Sequence, residues 1–173
     1  MDRLVIGEVN RVIADFESEA GRYDGVIYMM YRERQGNVVP LYIGKSEKLG
    51  KNGGNLSANI KNIEKNPNFC RWGYNYAYHL GDLSAVICPG HDDTRHTRKY
   101  EKWAKALFEM IPSDQPTLKE PIFFWMKAWS PEWTGVWKEF GPTSLTFLEY
   151  LLIGLASDLY PEQLLNDEGV NRK

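Results

Sequence analysis

The chain has 173 residues, of which 43% are hydrophobic and 25% charged, the composition of a soluble globular protein with one domain. A formal net charge of -2 excludes a surface coated in positive charge, the usual mark of non-specific nucleic-acid binding, although a local basic groove remains open. Cys70 and Cys88 alone make neither a disulfide framework nor a zinc site, so we expect reduced thiols in a cytoplasmic protein.

The first predicted element is an amphipathic helix over residues 4–16, in which Val5, Val9 and Phe16 recur at helical spacing. Its polar start is unlike a secretory signal peptide. The longest apolar run, residues 145–156, is too short to span a bilayer. An intracellular, soluble protein is therefore expected.

Two apolar strands follow, "DGVIYMMY" and "VVPLYIG", and a polar turn within residues 34–37 joins them. Each strand carries a tyrosine, Tyr28 or Tyr42, near the end that lies away from the turn. A turn with an even number of residues places the two tyrosines on opposite faces of the hairpin. An odd number, or a bulge near Pro40, places them on one face. The sequence leaves both arrangements open.

The remaining predicted elements mix helices and strands. In chain order they are a helix over residues 56–66, a short strand over 83–88, a helix from caps at 92–94 to about 111, a third long strand over 122–129, a helix that begins at Ser130-Pro131, and an apolar helix capped by Thr143 that runs through 156.

Glu149 is the most informative single residue, because it lies inside "SLTFLEYLLIGLAS", a helix that is apolar on nearly every side and is therefore predicted to be mostly buried. An unpaired carboxylate in such surroundings costs several kcal/mol by order of magnitude. It must pair with an arginine, cap a neighbouring loop, or bind a metal ion at the edge of a cleft.

The order of these features resembles the GIY-YIG nuclease superfamily. Its first motif stands here as Gly25-Val26-Ile27-Tyr28, one residue longer than Gly-Ile-Tyr, and its second is intact as Tyr42-Ile43-Gly44. A lone glutamate in an apolar helix and "LYPEQLLN", ending in Asn166, complete the match. The resemblance implies a small three-stranded antiparallel sheet flanked by helices, and it covers most of the chain apart from the first helix and residues 66–120. We therefore predict a single α+β domain over residues 1–173, with an added N-terminal helix and an inserted helical segment over 66–120.

The resemblance also implies that the chain cuts phosphodiester bonds in DNA with one divalent cation, Mg²⁺ or Mn²⁺. Glu149 would hold the metal ion, and Tyr28 would help to activate the attacking water. Tyr42 would line the site beside the scissile phosphate, and Gly44 would allow close approach of backbone and substrate. Asn166 would support the architecture of the site.

One departure from the family concerns a cation. The family places an arginine in the helix after the second motif, where this chain has Asn59, and no arginine occurs between Arg34 and Arg71. The role of this arginine is assigned to Arg71 first, with Lys61 and His79 as alternatives. A lysine is a weaker substitute because it lacks the bidentate fork.

Other basic residues are candidates for substrate contacts. Lys45 follows the second motif, and a cation there would lower the pKa of a neighbouring phenol, although a solvated surface lysine is the commoner case. In the predicted helix after residue 94, Arg95, Arg98, Lys102 and Lys105 share a face that suits a phosphate backbone. An ordinary solvated face is the equal alternative.

We therefore predict a metal-dependent DNA endonuclease of restriction or mobile-element type. Because a duplex needs two cuts, a homodimer or repeated single-strand nicking is implied. A catalytically silent nucleic-acid-binding module of the same fold is one alternative. The other is a protein-interaction domain that uses tryptophans 125, 129, 133 and 137, which otherwise serve as packing.

Overall fold

The computed structural model describes residues 2–61, 63–65, 69–72, 78–79, 83–92, 94, 96–133 and 141–171. The helices are α1 (Asp2–Glu17), α2 (Leu83–Ile87), α3 (Arg98–Leu107) and α4 (Leu145–Leu159), with one short 3₁₀ turn at Ile63–Lys65. The strands are β1 (Gly25–Arg34), β2 (Asn37–Glu47), β3 (Arg71–Trp72), β4 (Tyr78–His79) and β5 (Phe123–Trp129). The fold is α+β, as predicted.

The main sheet has three antiparallel strands in the order β2-β1-β5, and β3 and β4 form a separate antiparallel pair. β1 is the central strand, and Tyr28 on it faces Gly44 of β2 on one side and Met126 of β5 on the other. The predicted hairpin and the third long strand are confirmed. Their β-branched and aromatic residues suit a half-buried pleated surface.

A bulge decides where the two motif tyrosines project. The hairpin turn has two residues, Gln35 and Gly36, and both have positive φ, as a type I′ turn requires. Tyr31 then pairs with Pro40, but Met30 pairs with Tyr42, so Leu41 is the extra residue of a bulge. Tyr28 and Tyr42 therefore lie on the same face of the sheet, which is the second of the two arrangements that the sequence left open.

Helices cover both faces of the sheet. On one face, Val5, Val9 and Val12 of α1 pack in one cluster with Met30 and Met126, and this confirms the predicted amphipathic helix. On the other face, Leu145, Leu148 and Ile153 of α4 pack against Ile27 and Ile43. The candidate site lies at the outer edge of β2, next to α4 and the segment that follows it.

Asp24 fixes the start of α4 against the sheet. Its carboxylate accepts a hydrogen bond from the Leu145 N–H, at 3.3 Å, where the first turn of the helix has unpaired donors. The N-cap position is Ser144, not Thr143 as predicted, and Ser144 makes no side-chain cap bond. The expectation that α4 is mostly buried is also wrong, because Phe147, Leu155 and Leu159 are exposed.

Several other predicted elements differ from the structure. Residues 83–88 were predicted as a strand, but Leu83–Ile87 is a helix with all five residues buried, so its apolar run carried no period that distinguishes helix from strand. Residues 56–66 form turns and the 3₁₀ segment rather than a helix, in their described part. The helix predicted from Ser130-Pro131 opens as a turn, and residues 134–140 lie outside the described part of the chain.

The helix α3 begins later than predicted. Its N-cap is Thr97, whose hydroxyl accepts a hydrogen bond from the Tyr100 N–H, so the helix starts at Arg98 and not near 92–94. Its buried face carries Trp103, Ala104 and Leu107, which join the cluster beneath α1. The segment over 66–120 that was predicted as an insertion thus shares the core of the sheet through its described residues.

Two further observations concern the whole chain. Neither Cys70 nor Cys88 is in a disulfide. Within the described ranges, no helix is long and apolar enough to cross a membrane.

Candidate active site

The candidate site forms along the outer edge of β2, where alternate backbone groups face away from β1 and need other partners. The Leu165 N–H donates to the Leu41 carbonyl at 2.7 Å. The Asn166 side chain brackets Ile43, accepting from its N–H at 3.0 Å and donating to its carbonyl at 2.8 Å. The segment after α4 therefore replaces a fourth strand at this edge.

Glu149 completes this edge. Its carboxylate accepts a hydrogen bond from the backbone N–H of Lys45, two residues beyond Ile43. The side chains of Glu149 and Asn166 thus bind adjacent outward-facing positions of β2. Glu149 could only be placed in this way because α4 crosses the sheet close to β2, where Ile43 packs against Ile153.

Glu149 opens into a polar pocket of about 210 Å³. The pocket is lined by Tyr42, Lys99, Glu149, Tyr150, Ile153, Asn166, Asp167 and Glu168. Glu149 is half-buried, and among the described residues it forms no ion pair with an arginine or lysine side chain. The interpretation of Glu149 as an acid paired to an arginine therefore has no support among the described residues.

The pKa of Glu149 is raised above its ordinary value. Burial is the main cause, and the charge and backbone N–H of Lys45 oppose it only in part. Glu47 and Glu168 add like charge that raises the pKa further. A nearby cation would stabilise the ionised form of Glu149, because its charge would offset both the cost of burial and the repulsion from neighbouring acids.

The two motif tyrosines lie one behind the other. Tyr42 lines the pocket, whereas Tyr28 is only 8% exposed and lies beneath it, with the ring centroids 6.3 Å apart. Phe69 and Phe124 hold the ring of Tyr28 from two sides, each with a centroid distance of 5.8 Å. Tyr28 therefore reaches the pocket through Tyr42 rather than directly.

Gly44 is required by this stacking. It lies directly opposite Tyr28 in the sheet, and a Cβ at position 44 would come within 2.7 Å of Tyr28 Cζ and 2.8 Å of the phenol oxygen. Contacts this short do not occur between a real Cβ and a packed ring. The glycine of the second motif therefore makes room for the tyrosine of the first.

Both phenols are neutral at physiological pH in the protein alone. Burial raises the pKa of Tyr28 well above 10, and burial followed by the nearby Glu149 charge raises the pKa of Tyr42 to about 12. A hydrogen bond from Tyr28 opposes this rise by stabilising the Tyr42 oxygen. In this state Tyr42 is a hydrogen-bond donor to the pocket, and its use as a base requires additional positive charge nearby.

Lys99 is a site residue that sequence reasoning missed. Its ammonium lies 5.1 Å from the centroid of the Tyr42 ring, and Lys99 lines the same pocket as Glu149. In the sequence it is one lysine within a basic run, like its solvated neighbours. The available signal was its spacing, because position 99 lies next to Tyr100 and four residues before Trp103, at the margin of the buried stripe of α3.

No described contact places any of the three residues predicted to replace the family arginine in the pocket. Lys61 is exposed and is absent from the described pocket lining, as is Asn59. Arg71 and His79 face each other in the β3–β4 pair, but their side chains lie outside what the structure describes. Their predicted role stays untested.

The predicted basic face is present in part. Arg98 and Lys102 are exposed on α3, and together with Lys99 and Asp167 they line a depression of about 550 Å³ beside the pocket. Lys102 Nζ lies 3.0 Å from Asp167 Oδ1. Arg95 lies outside the described residues, and α3 begins only after it, so the predicted helical face from 95 to 105 is wrong at its start.

Lys45 contributes its backbone rather than a free charge. Its ammonium lies 2.6 Å from Glu47 Oε1, and Glu47 also accepts a hydrogen bond from Thr146. The pKa of Glu47 is lowered, chiefly by the hydrogen bond from Lys45. The expectation that Lys45 lowers the pKa of a motif phenol does not hold, since burial keeps both phenol values high.

A divalent cation fits the donor set of the pocket only if it keeps water ligands. The described part of the chain contains no group of three or more His, Cys, Asp and Glu side chains that could hold a metal. Mg²⁺ prefers oxygen donors and is commonly held by one or two carboxylates with several waters. Glu149 meets that requirement, with Asp167 and Glu168 close enough to line the same pocket.

The described members of the predicted tryptophan set differ in their surroundings. Trp129 is structural, because its Nε1–H donates to the Thr143 carbonyl at 2.7 Å and its ring meets Trp133 edge to face. Trp125 is exposed and borders an apolar groove of about 430 Å³ between the sheet and α4. Trp137 lies outside the described residues.

Comparison of the chain with protein-family models, with curated proteins and with solved structures finds no match. The GIY-YIG resemblance therefore rests on the motifs in the sequence.

Proposed function

We propose that this chain is a metal-dependent DNA endonuclease of the GIY-YIG type. One observation carries the proposal: Tyr42, Glu149 and Asn166, which lie up to 124 positions apart in the chain, share one pocket, and Tyr28 is hydrogen-bonded behind Tyr42. These are the residues that the resemblance singles out. A restriction or mobile-element role, acting as a homodimer or by repeated nicking, is the finer form of the proposal.

Glu149 is the residue that would hold Mg²⁺ or Mn²⁺. Such an ion polarises a phosphate and makes water more acidic when it is bound. Asn166 keeps the outer edge of β2 in place and so sets the position of the Lys45 N–H that orients the Glu149 carboxylate. Tyr42 donates its phenol proton towards a group in the pocket, and Tyr28 supports the Tyr42 oxygen from behind.

The charge of the pocket explains why a divalent ion is needed before a phosphate enters. Its described lining carries three carboxylates, Glu149, Asp167 and Glu168, and one ammonium, Lys99. A phosphodiester would be repelled by this balance. We therefore expect DNA to bind productively only when a cation has reduced the negative charge, with the adjoining basic depression of Arg98 and Lys102 contacting neighbouring phosphates.

The test is cleavage of a labelled DNA duplex in Mg²⁺ or Mn²⁺ by the wild type and by Glu149→Gln. Loss of an essential metal ligand is expected to reduce the rate at least about 100-fold. Glu162→Gln is the matched control, because Glu162 is exposed and does not line the pocket. Cleavage by Glu149→Gln at the wild-type rate rejects the proposal, and salt-sensitive binding without any cleavage by the wild type favours a silent binding module.

A further inference from the structure

Among its described lining residues, the proposed nuclease site has no arginine such as the GIY-YIG family places beside the phosphate. Hydrolysis forms a bond from a water oxygen to phosphorus and breaks the bond from phosphorus to one ester oxygen, which leaves with a proton derived from that water. Negative charge increases on the phosphate oxygens between these events, and a fixed cation there lowers the barrier. Asn59, which stands at the position of the family arginine, cannot supply this charge.

Lys99 has a fixed position beside the pocket. Its ammonium lies 5.1 Å from the ring centroid of Tyr42, 5.1 Å from that of Trp103 and 5.8 Å from that of Tyr100. Trp103 is only 1% exposed, and its Nε1–H donates to the Leu165 carbonyl at 3.2 Å. The rings that hold Lys99 are thus tied to the segment that carries Asn166.

The neighbouring lysines of α3 differ from Lys99 in this respect. Lys102 is exposed and paired with Asp167 at 3.0 Å, and Lys105 is exposed on the last turn of the helix. Within the described part of the chain, the ammonium of Lys99 contacts aromatic ring faces, which attract a cation but leave its N–H groups able to donate to an anion. Its chemistry therefore suits a phosphate oxygen that enters the pocket that Lys99 and Glu149 both line.

We propose that Lys99 is the residue that binds the scissile phosphate and stabilises its developing charge, in place of the family arginine. This inference rests on the proposed nuclease function. A lysine contacts the phosphate as a point charge and not as a bidentate fork. Lys99 lies on α3, within the predicted insertion, and not on the segment after the second motif. A cation supplied from α3 accounts for the absence of arginine between Arg34 and Arg71.

The test compares Lys99→Met, Lys99→Arg and the control Lys65→Met, because Lys65 is exposed and lines neither the pocket nor the adjoining basic depression. Methionine keeps an apolar stem against the rings and removes the charge. In single-turnover cleavage we expect Lys99→Met to be slower by about 100-fold or more, as for loss of one charge-stabilising donor. We expect Lys99→Arg to retain a rate within about tenfold of the wild type because it keeps the charge. Lys65→Met should match the wild type, and a Lys99→Met rate that also matches it overturns the inference.

A second readout separates this inference from the nuclease proposal. DNA binding is measured in Ca²⁺ over a series of salt concentrations, and Lys99→Met is expected to lower the slope of log affinity against log salt by about one. If the wild type cleaves and Lys99→Met cleaves equally well, only the role of Lys99 is wrong. If the wild type does not cleave, the function proposal fails, and the salt slope alone decides: an unchanged slope overturns the phosphate contact and a reduced slope supports it.

Discussion

Replacing Gly44 by alanine tests the packing on which the site depends. The new Cβ would lie 2.7 Å from Tyr28 Cζ and 2.8 Å from both Cε2 and the phenol oxygen, whereas carbon contacts are comfortable at about 3.5–4.0 Å. The ring cannot retreat freely, because Phe69 and Phe124 lie against it and Tyr42 lies above it. Overpacking of this kind costs about 1–3 kcal/mol of unfolding free energy.

For a chain of this size that loss lowers the melting temperature by about 2–12 °C. Urea unfolding and differential scanning calorimetry measure it, and the m-value should stay unchanged because the folded surface is similar. Gly7→Ala is the matched control: Gly7 lies in α1 with nothing within 4 Å of the added Cβ, so the change should stabilise the protein by about 0.5–1 kcal/mol. A Gly44→Ala protein as stable as the wild type would refute the stacking of Tyr28 over Gly44.

Three further predictions concern stability. Asp15 is held by Lys48 at 2.9 Å, and this pair with backbone hydrogen bonds outweighs burial and lowers the Asp15 pKa. The ionised Asp15 stabilises the fold above its unfolded pKa of about 4, and this stabilisation disappears as the pH falls through the folded pKa. In urea titrations, the free energy of unfolding of Asp15→Asn should be lower than that of the wild type by about 2 kcal/mol at pH 7, and the two proteins should be equally stable at low pH. Asn166→Ala removes both partners of Ile43 and should cost about 2 kcal/mol in chemical unfolding, and a loss below a few tenths would contradict the edge-capping role. The pKa of Glu149 is raised, so its charge disfavours folding at a pH above the unfolded pKa. Without metal, Glu149→Gln should be more stable than the wild type by about 0.5 kcal/mol at pH 7 and as stable as the wild type at pH 3. A variant less stable than the wild type at pH 7 would contradict this prediction.

Local patterns were sufficient for much of the fold. The valines of α1 predicted a helix because one face of it packs on the sheet, and the apolar runs of β1 and β5, bounded by turn residues, predicted strands. The pattern failed where burial is complete, as in Leu83–Ile87, and where one hydroxyl sets a boundary, as Thr97 does for α3. These features depend on tertiary surroundings that a local window does not contain.

The candidate site divides in the same way. Glu149 was identifiable because a carboxylate in an apolar helix demands a partner. The shared face of Tyr28 and Tyr42 could not be identified, because it depends on the bulge at Leu41. A bulge reverses the sheet face on which the following side chains lie, and the amino-acid composition of the strand does not reveal it. Lys99 was missed because its environment comes from rings on β2 and α3 that meet only in the folded chain.

The most direct test of the proposed function is the Mg²⁺ dependence of the single-turnover rate at which the wild type cleaves a labelled DNA duplex. We predict a rate that is zero in EDTA and rises to saturation with one ion per active site, with no such rise in Glu149→Gln. Cleavage that persists in EDTA, or a wild type that leaves the duplex intact at every Mg²⁺ and Mn²⁺ concentration, would contradict it.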